Sequence, residues 1–140
     1  MKRGIAAAAI LAAGAAAGFQ DRSVWDGVYT EEQARRGEAL YQQQCARCHG
    51  VSLTGGEEAP PLSGGGFLAN WNGTTAGDLS ERIRTTMPPD APGRLARQQN
   101  ADVLSHLFRA NGFPAGKAEL PRETEILKQI RIEAQKPGGP

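Results

Sequence analysis

Cys45-Ala46-Arg47-Cys48-His49 gathers most of the chain's reactive chemistry into five positions. Cys45 and Cys48 are the only cysteines, and His49 is one of two histidines. C-x-x-C-H is the pattern of covalent c-type haem attachment. Two thiols three residues apart on a helical turn can reach the two vinyl groups of one haem. The histidine directly after the second thiol then points a ring nitrogen at the iron. Other uses of the pair fit less well. A thioredoxin-like redox pair belongs in a βαβ context, which the chain lacks. A structural zinc site usually completes its ligand set with a second Cys or His pair, and only the lone His106 remains outside this run. A disulfide between Cys45 and Cys48 would close a very short loop and staple nothing distant.

The sixth iron position falls to Met87. It is the only methionine besides Met1, and Pro88-Pro89 follows it. That rigid segment can hold a thioether in place. The separation of 38 positions from His49 to Met87 is enough to wrap one haem and return. A lone methionine is also good core filler, and His106 is the rival ligand.

The elements that must position these groups begin after residue 18. Met1-Lys2-Arg3 is a basic start, Gly4 to Ala17 a small apolar run, and Ala15-Ala16-Ala17-Gly18 a small-residue cleavage context. Residues 1–18 therefore read as a secretory signal peptide, too short for a membrane span. The signal places the chain outside the cytoplasmic membrane, where haem attachment occurs in bacteria. With a formal charge of +1, nothing suggests a nucleic-acid partner. From Phe19 onward 22 of 122 residues are Leu, Ile, Val or Phe. So thin an apolar inventory asks for a large cofactor to complete the core.

Residues 19–29 form a leader with no clear period. Thr30-Glu31-Glu32-Gln33 is a capping box, and Ala34, Gly37, Tyr41, Cys45 and Cys48 keep one helical face as far as Gly50. Residues 51–74, rich in Gly, read as loop. A second helix is predicted over Thr75–Thr86, with Leu79 and Ile83 on one face, and a third over Leu95–Asn111. A fourth is expected in Pro121–Gln135, with Ile126, Leu127 and Ile130 inward. No strand is predicted. The expected class is all-α: three core helices around the haem and an extra C-terminal helix.

With Cys45-Ala46-Arg47-Cys48-His49, Pro60-x-Leu62-x-Gly64, Thr86-Met87-Pro88 and the ending Asn111-Gly112-Phe113-Pro114, the chain resembles the class I mono-haem c-type cytochromes, the small bacterial periplasmic ones among them. The resemblance covers residues 30–121, leaving 122–140 as an extension. It implies one covalent haem c, with His49 and Met87 on the iron. It implies that the Pro60 carbonyl orients the His49 ring, with Pro61 the alternative by one residue. It gives Trp71 a place where an indole N–H reaches a haem propionate. It makes Gly37 and Tyr41 the positions where the first helix crosses the last, packed by Leu107 and Phe108. The chain departs from the pattern at Asn100 and His106, where aromatics are common, which weakens the expected packing of the terminal helices.

The expected function is electron transport. The chain reads as a monomeric periplasmic carrier cycling Fe(II)/Fe(III), not an enzyme and not attached to the membrane once the signal is removed. Its expected partners are redox proteins, a dehydrogenase as donor and an oxidase or another cytochrome as acceptor. Two readings compete: a haem enzyme or gas sensor with an open sixth site, and a tightly held dehydrogenase subunit.

Overall fold

A computed structural model describes residues 21–139; the signal peptide predicted over residues 1–18 and the first two residues of the predicted leader lie outside them. Helix α1, Glu31–Gln44, starts where Thr30 Oγ1 accepts the Gln33 amide at 3.1 Å. The reciprocal half of the predicted capping box is missing. The Gln33 side chain, fully buried, instead meets the backbone of Leu120: Nε2 donates to its carbonyl at 3.0 Å and Oε1 accepts its N–H at 2.6 Å. A buried amide does better with two partners than with one exposed cap.

Helix α1 breaks at Cys45, whose backbone leaves helical geometry, and a single turn, α2, runs from Ala46 to His49. Residues 51–74 are not all loop. Gly64–Trp71 forms helix α3, started by three glycines that poorly favour helix. Burial overrides propensity there. Phe67 is fully buried, Leu68 and Trp71 pack partly buried against the core, and a β-carbon on Gly66 would strike the Pro61 ring.

Helix α4, Ala76–Thr86, has the complete capping box at Thr75 and Asp78. Helix α5, Arg97–Ala110, buries every residue from Asn100 to Phe108. It crosses α1 at Gly37, where a β-carbon would overlap the Asp102 carbonyl. Tyr41, Leu104, Leu107 and Phe108 fill the core beside that crossing.

The tail departs from the predicted long helix. Only Thr124–Leu127 is helical, as α6. Ile130 and Ile132 are buried with exposed Arg131 between them, which is a strand's period of two, and Ile126 faces outward at 46% exposure. Ile130–Arg131 pairs in parallel with Arg22–Ser23, so two short strands, β2 and β1, exist where none was predicted. The segment after β1 is also structured. Ser23 and Asp26 cap a 3-10 turn over Val24–Asp26, and Val24, Val28 and Tyr29 are buried. The Trp25 indole donates to Glu133 O at 2.9 Å, and the Tyr29 hydroxyl to Phe113 O at 2.6 Å. The architecture remains all-α in class, with both ends of the described chain clasped on one side.

Candidate haem-binding site

The break after α1 shapes the attachment turn. Cys45 N–H still bonds Tyr41 O at 2.8 Å, while the Cys48 and His49 amides both turn back to Cys45 O, at 3.1 and 3.0 Å. One tight turn thus carries both thiols. Both are free and half-buried. Burial pushes the Cys45 thiol up to about 11, so it stays protonated at neutral pH. Cys48 Sγ lies 3.9 Å from Glu58 Oε2.

His49 is buried, and its Nδ1 lies 2.8 Å from Pro60 O. A carbonyl only accepts, so Nδ1 carries the proton and Nε2 keeps its lone pair for a metal. The carbonyl at the ring is that of Pro60 and not of Pro61. The loop that delivers it reverses sharply, with positive φ at Gly50, Leu53 and Gly55. Gly55 N–H bonds His49 O at 2.8 Å, and a β-carbon on Gly55 would overlap the Pro60–Pro61 backbone. Leu53 adopts φ +60°, which a bulky side chain seldom does. Its buried side chain holds it there, together with bonds from its N–H to Gly50 O and from Leu62 N–H to its carbonyl.

Met87 ends α4, half-buried, with its N–H on Ile83 O at 2.9 Å and extended backbone beyond. Trp71, the last residue of α3, packs against the core with Leu62, Leu68, Ile83 and Leu95, all partly buried. Among the described residues no group of three or more His, Cys, Asp or Glu gathers as a metal cluster. The donor set fits a haem: two thiols on one turn, one imidazole with a free nitrogen, one thioether, and half-buried apolar side chains on α3, α4 and the loops.

His106 sits in the seam between α1 and α5. Its ring lies 5.2 Å from that of Tyr41, and its Nδ1 is 3.3 Å from Arg109 Nη2. Its Nε2 is buried without a partner among the described residues. Burial first, then the Arg109 charge, lower its pKa, and Glu38 partly offsets them. Asn100 makes a polar clamp where the resemblance expects an aromatic. Its amide donates to Ser80 O at 3.1 Å and Ser80 Oγ at 2.8 Å, tying α5 to α4. The seam at Gly37 meets the Asp102–Val103 backbone most closely, rather than Leu107 and Phe108.

The Tyr41 hydroxyl escaped sequence reasoning. It donates to Gly50 O at 2.7 Å. Tyrosine at a buried helical position signals a bonded hydroxyl, yet nothing in the spacing names a partner nine residues on.

Residues 32–107 match the family described as "Cytochrome C oxidase, cbb3-type, subunit III", over more than half the chain. Among solved structures, the sulfane dehydrogenase SoxCD from Paracoccus pantotrophus is similar at a TM-score of 0.53 and 21% identity. The likeness covers 76% of this chain and 61% of that one, so this chain spans under two thirds of the SoxCD chain, and at that identity what is shared is the fold. No curated protein sequence matches. Among the described residues, no helix is long and apolar enough to cross a membrane. By the match over residues 32–107, the chain belongs to this family of c-type cytochrome domains, whose cofactor is covalently bound haem c.

Proposed function

We propose that the protein is a periplasmic electron carrier whose haem is held through Cys45 and Cys48, with His49 and Met87 as the axial ligands. Haem-based electron transfer follows from the family. The ligand set, the compartment and the partners are the proposal. In this reading residues 1–18 are a secretory signal, residues 30–121 carry the haem, and the partners are a dehydrogenase donor and an oxidase or cytochrome acceptor. The observation that carries it is the 2.8 Å contact of His49 Nδ1 with Pro60 O. It fixes the tautomer that presents Nε2, raises the ring's basicity and orients the ring.

Bound haem supplies the one-electron Fe(II)/Fe(III) couple. The protein's part is to hold ligands that need not move when the charge changes. Met87, leaving α4 into Pro88-Pro89, offers a soft thioether that favours Fe(II) and raises the potential. It also closes the sixth position to small ligands, which suits transfer and not turnover. Trp71 is proposed to reach a haem propionate with its indole N–H.

Two measurements test the reading. Haem should stay on the polypeptide through acid denaturation and organic extraction. Reduced wild-type protein should bind CO far more slowly than Met87→Ala, and Met87→Ala and Met87→His should both have lower potentials. If the wild type takes up CO as fast as Met87→Ala, the site is open and a sensor or enzyme is the better reading.

A further inference from the structure

The last turn of α1 reaches forward past both cysteines. Tyr41 is fully buried, and its hydroxyl donates to the Gly50 carbonyl at 2.7 Å. Gln42 Nε2 donates to the next carbonyl, that of Val51, at 3.2 Å, but from an exposed position. The two bonds are not equal. Water competes for the Gln42 bond, whereas loss of the Tyr41 hydroxyl alters a site that water does not freely enter.

Gly50 is the pivot of the site. It follows His49 directly, and its φ of +82° turns the chain from α2 into the loop. Its carbonyl also accepts the Leu53 N–H at 3.1 Å, which closes the tight turn at Leu53. From that turn the loop runs through Gly55, bonded to His49 O, and returns at Pro60, whose carbonyl meets the His49 ring. One carbonyl therefore joins α1, α2 and the loop that orients the histidine. The His106 ring of α5 packs beside the phenol, with 5.2 Å between ring centroids.

We propose that Tyr41 is a positioning residue for the iron's histidine: by holding Gly50 O, its hydroxyl fixes the pivot between the attachment turn and the Pro60 loop. This rests on the reading of His49 as a haem ligand. Without the hydroxyl, the pivot relaxes and the Pro60 carbonyl sits less firmly on Nδ1–H. A weaker bond at Nδ1 makes Nε2 a poorer donor. The iron–histidine bond then weakens, and Fe(III), which gains most from a basic ligand, loses more than Fe(II).

The test is Tyr41→Phe, which keeps the ring and its packing. It is made in the Met87→Ala background for resonance Raman of the ferrous protein, and alone for redox titration. The expected result is a downshift of the Fe–His stretching frequency and a rise in potential, with Gln42→Ala changing neither. A Tyr41→Phe protein with a lower melting temperature but an unchanged frequency and potential would show a merely structural tyrosine and overturn the proposal. Should Tyr41→Phe not accumulate, the Tyr41 hydroxyl proton is followed by NMR in the wild type. Slow exchange with a coupling across the bond to Gly50 C=O supports the proposal, and rapid exchange overturns it. If the haem of the parent protein extracts, or no Fe–His mode is present in Met87→Ala, the ligand assignment itself falls and takes the proposal with it.

Discussion

Gly55 holds φ at +73° with the Pro60–Pro61 backbone against its α-carbon. Any β-carbon there meets two penalties at once. The left-handed conformation costs an L-residue about 1–2 kcal/mol, and the overlap pushes away the carbonyl that bonds His49. Gly55→Ala is therefore expected to lower stability by at least that amount and to raise the potential, because the histidine loses its partner. Pro60→Ala retains a carbonyl and loses only loop rigidity, an effect of about 0.4–1 kcal/mol. Denaturant unfolding and redox titration of the two variants check this. A potential that moves as much in Pro60→Ala as in Gly55→Ala would show that rigidity, and not the close approach, places the carbonyl. Leu53 makes the contrasting case: a non-glycine held in the left-handed region by burial and two hydrogen bonds, which no rule of residue type foresees.

Helices α1 and α5 touch backbone to backbone at Gly37, and that contact orients the whole attachment turn that follows α1. An isolated helix gains about 1 kcal/mol when an interior Gly becomes Ala. Here the added methyl overlaps the Asp102 carbonyl, and forcing atoms into a packed interface costs about 1–3 kcal/mol or more. Overlap with backbone on both sides cannot be relieved by a rotamer change, so the penalty exceeds the gain. Gly37→Ala should unfold at lower denaturant concentration than wild type with an unchanged m-value. Equal or greater stability would mean the helices can separate without cost. Helices α4 and α5 were legible in the sequence because caps and apolar faces are local signals, whereas the crossing at Gly37 was implied only by the resemblance to class I cytochromes. Helix α3 was not, because Gly64-Gly65-Gly66 says loop and only the burial of Phe67 says helix. The tail misled for a related reason. Ile126, Leu127 and Ile130 have helical spacing, but the pairing of Ile130 with Arg22 at the other end of the chain decides their conformation. At the site, C-x-x-C-H could be read from residue types and the Pro60 carbonyl was implied by the family resemblance, whereas the Tyr41–Gly50 bond depends on a backbone turn that residue types do not encode.

Across the molecule, the two ends of the described chain pair with each other, and the buried His106 ring of the α1–α5 seam gives the fold one source of pH dependence. His106 lies in that seam with Arg109 beside it, and Arg109 is itself held by Glu38 at 2.6 Å and Glu31 at 3.6 Å. Burial and the Arg109 charge lower the His106 pKa from 6.5 in the folded protein, so the folded state resists the proton that the unfolded chain accepts. Above about pH 6.5 the imidazole is neutral in both states and has no pH-dependent effect. As pH falls below 6.5 the unfolded chain binds a proton that the folded one does not, and stability falls until the folded state also protonates. The wild-type profile sums every titrating group, so a variant is needed to assign the slope to His106. His106→Phe keeps a ring against Tyr41, removes the unpartnered Nε2 and leaves Arg109 its two carboxylates. Its stability should change less than that of wild type between pH 7 and 5, and the gap between the two proteins should widen as pH falls. Denaturant midpoints taken across that range decide the matter: parallel profiles would mean that His106 is protonated as easily in the folded chain as in the unfolded one.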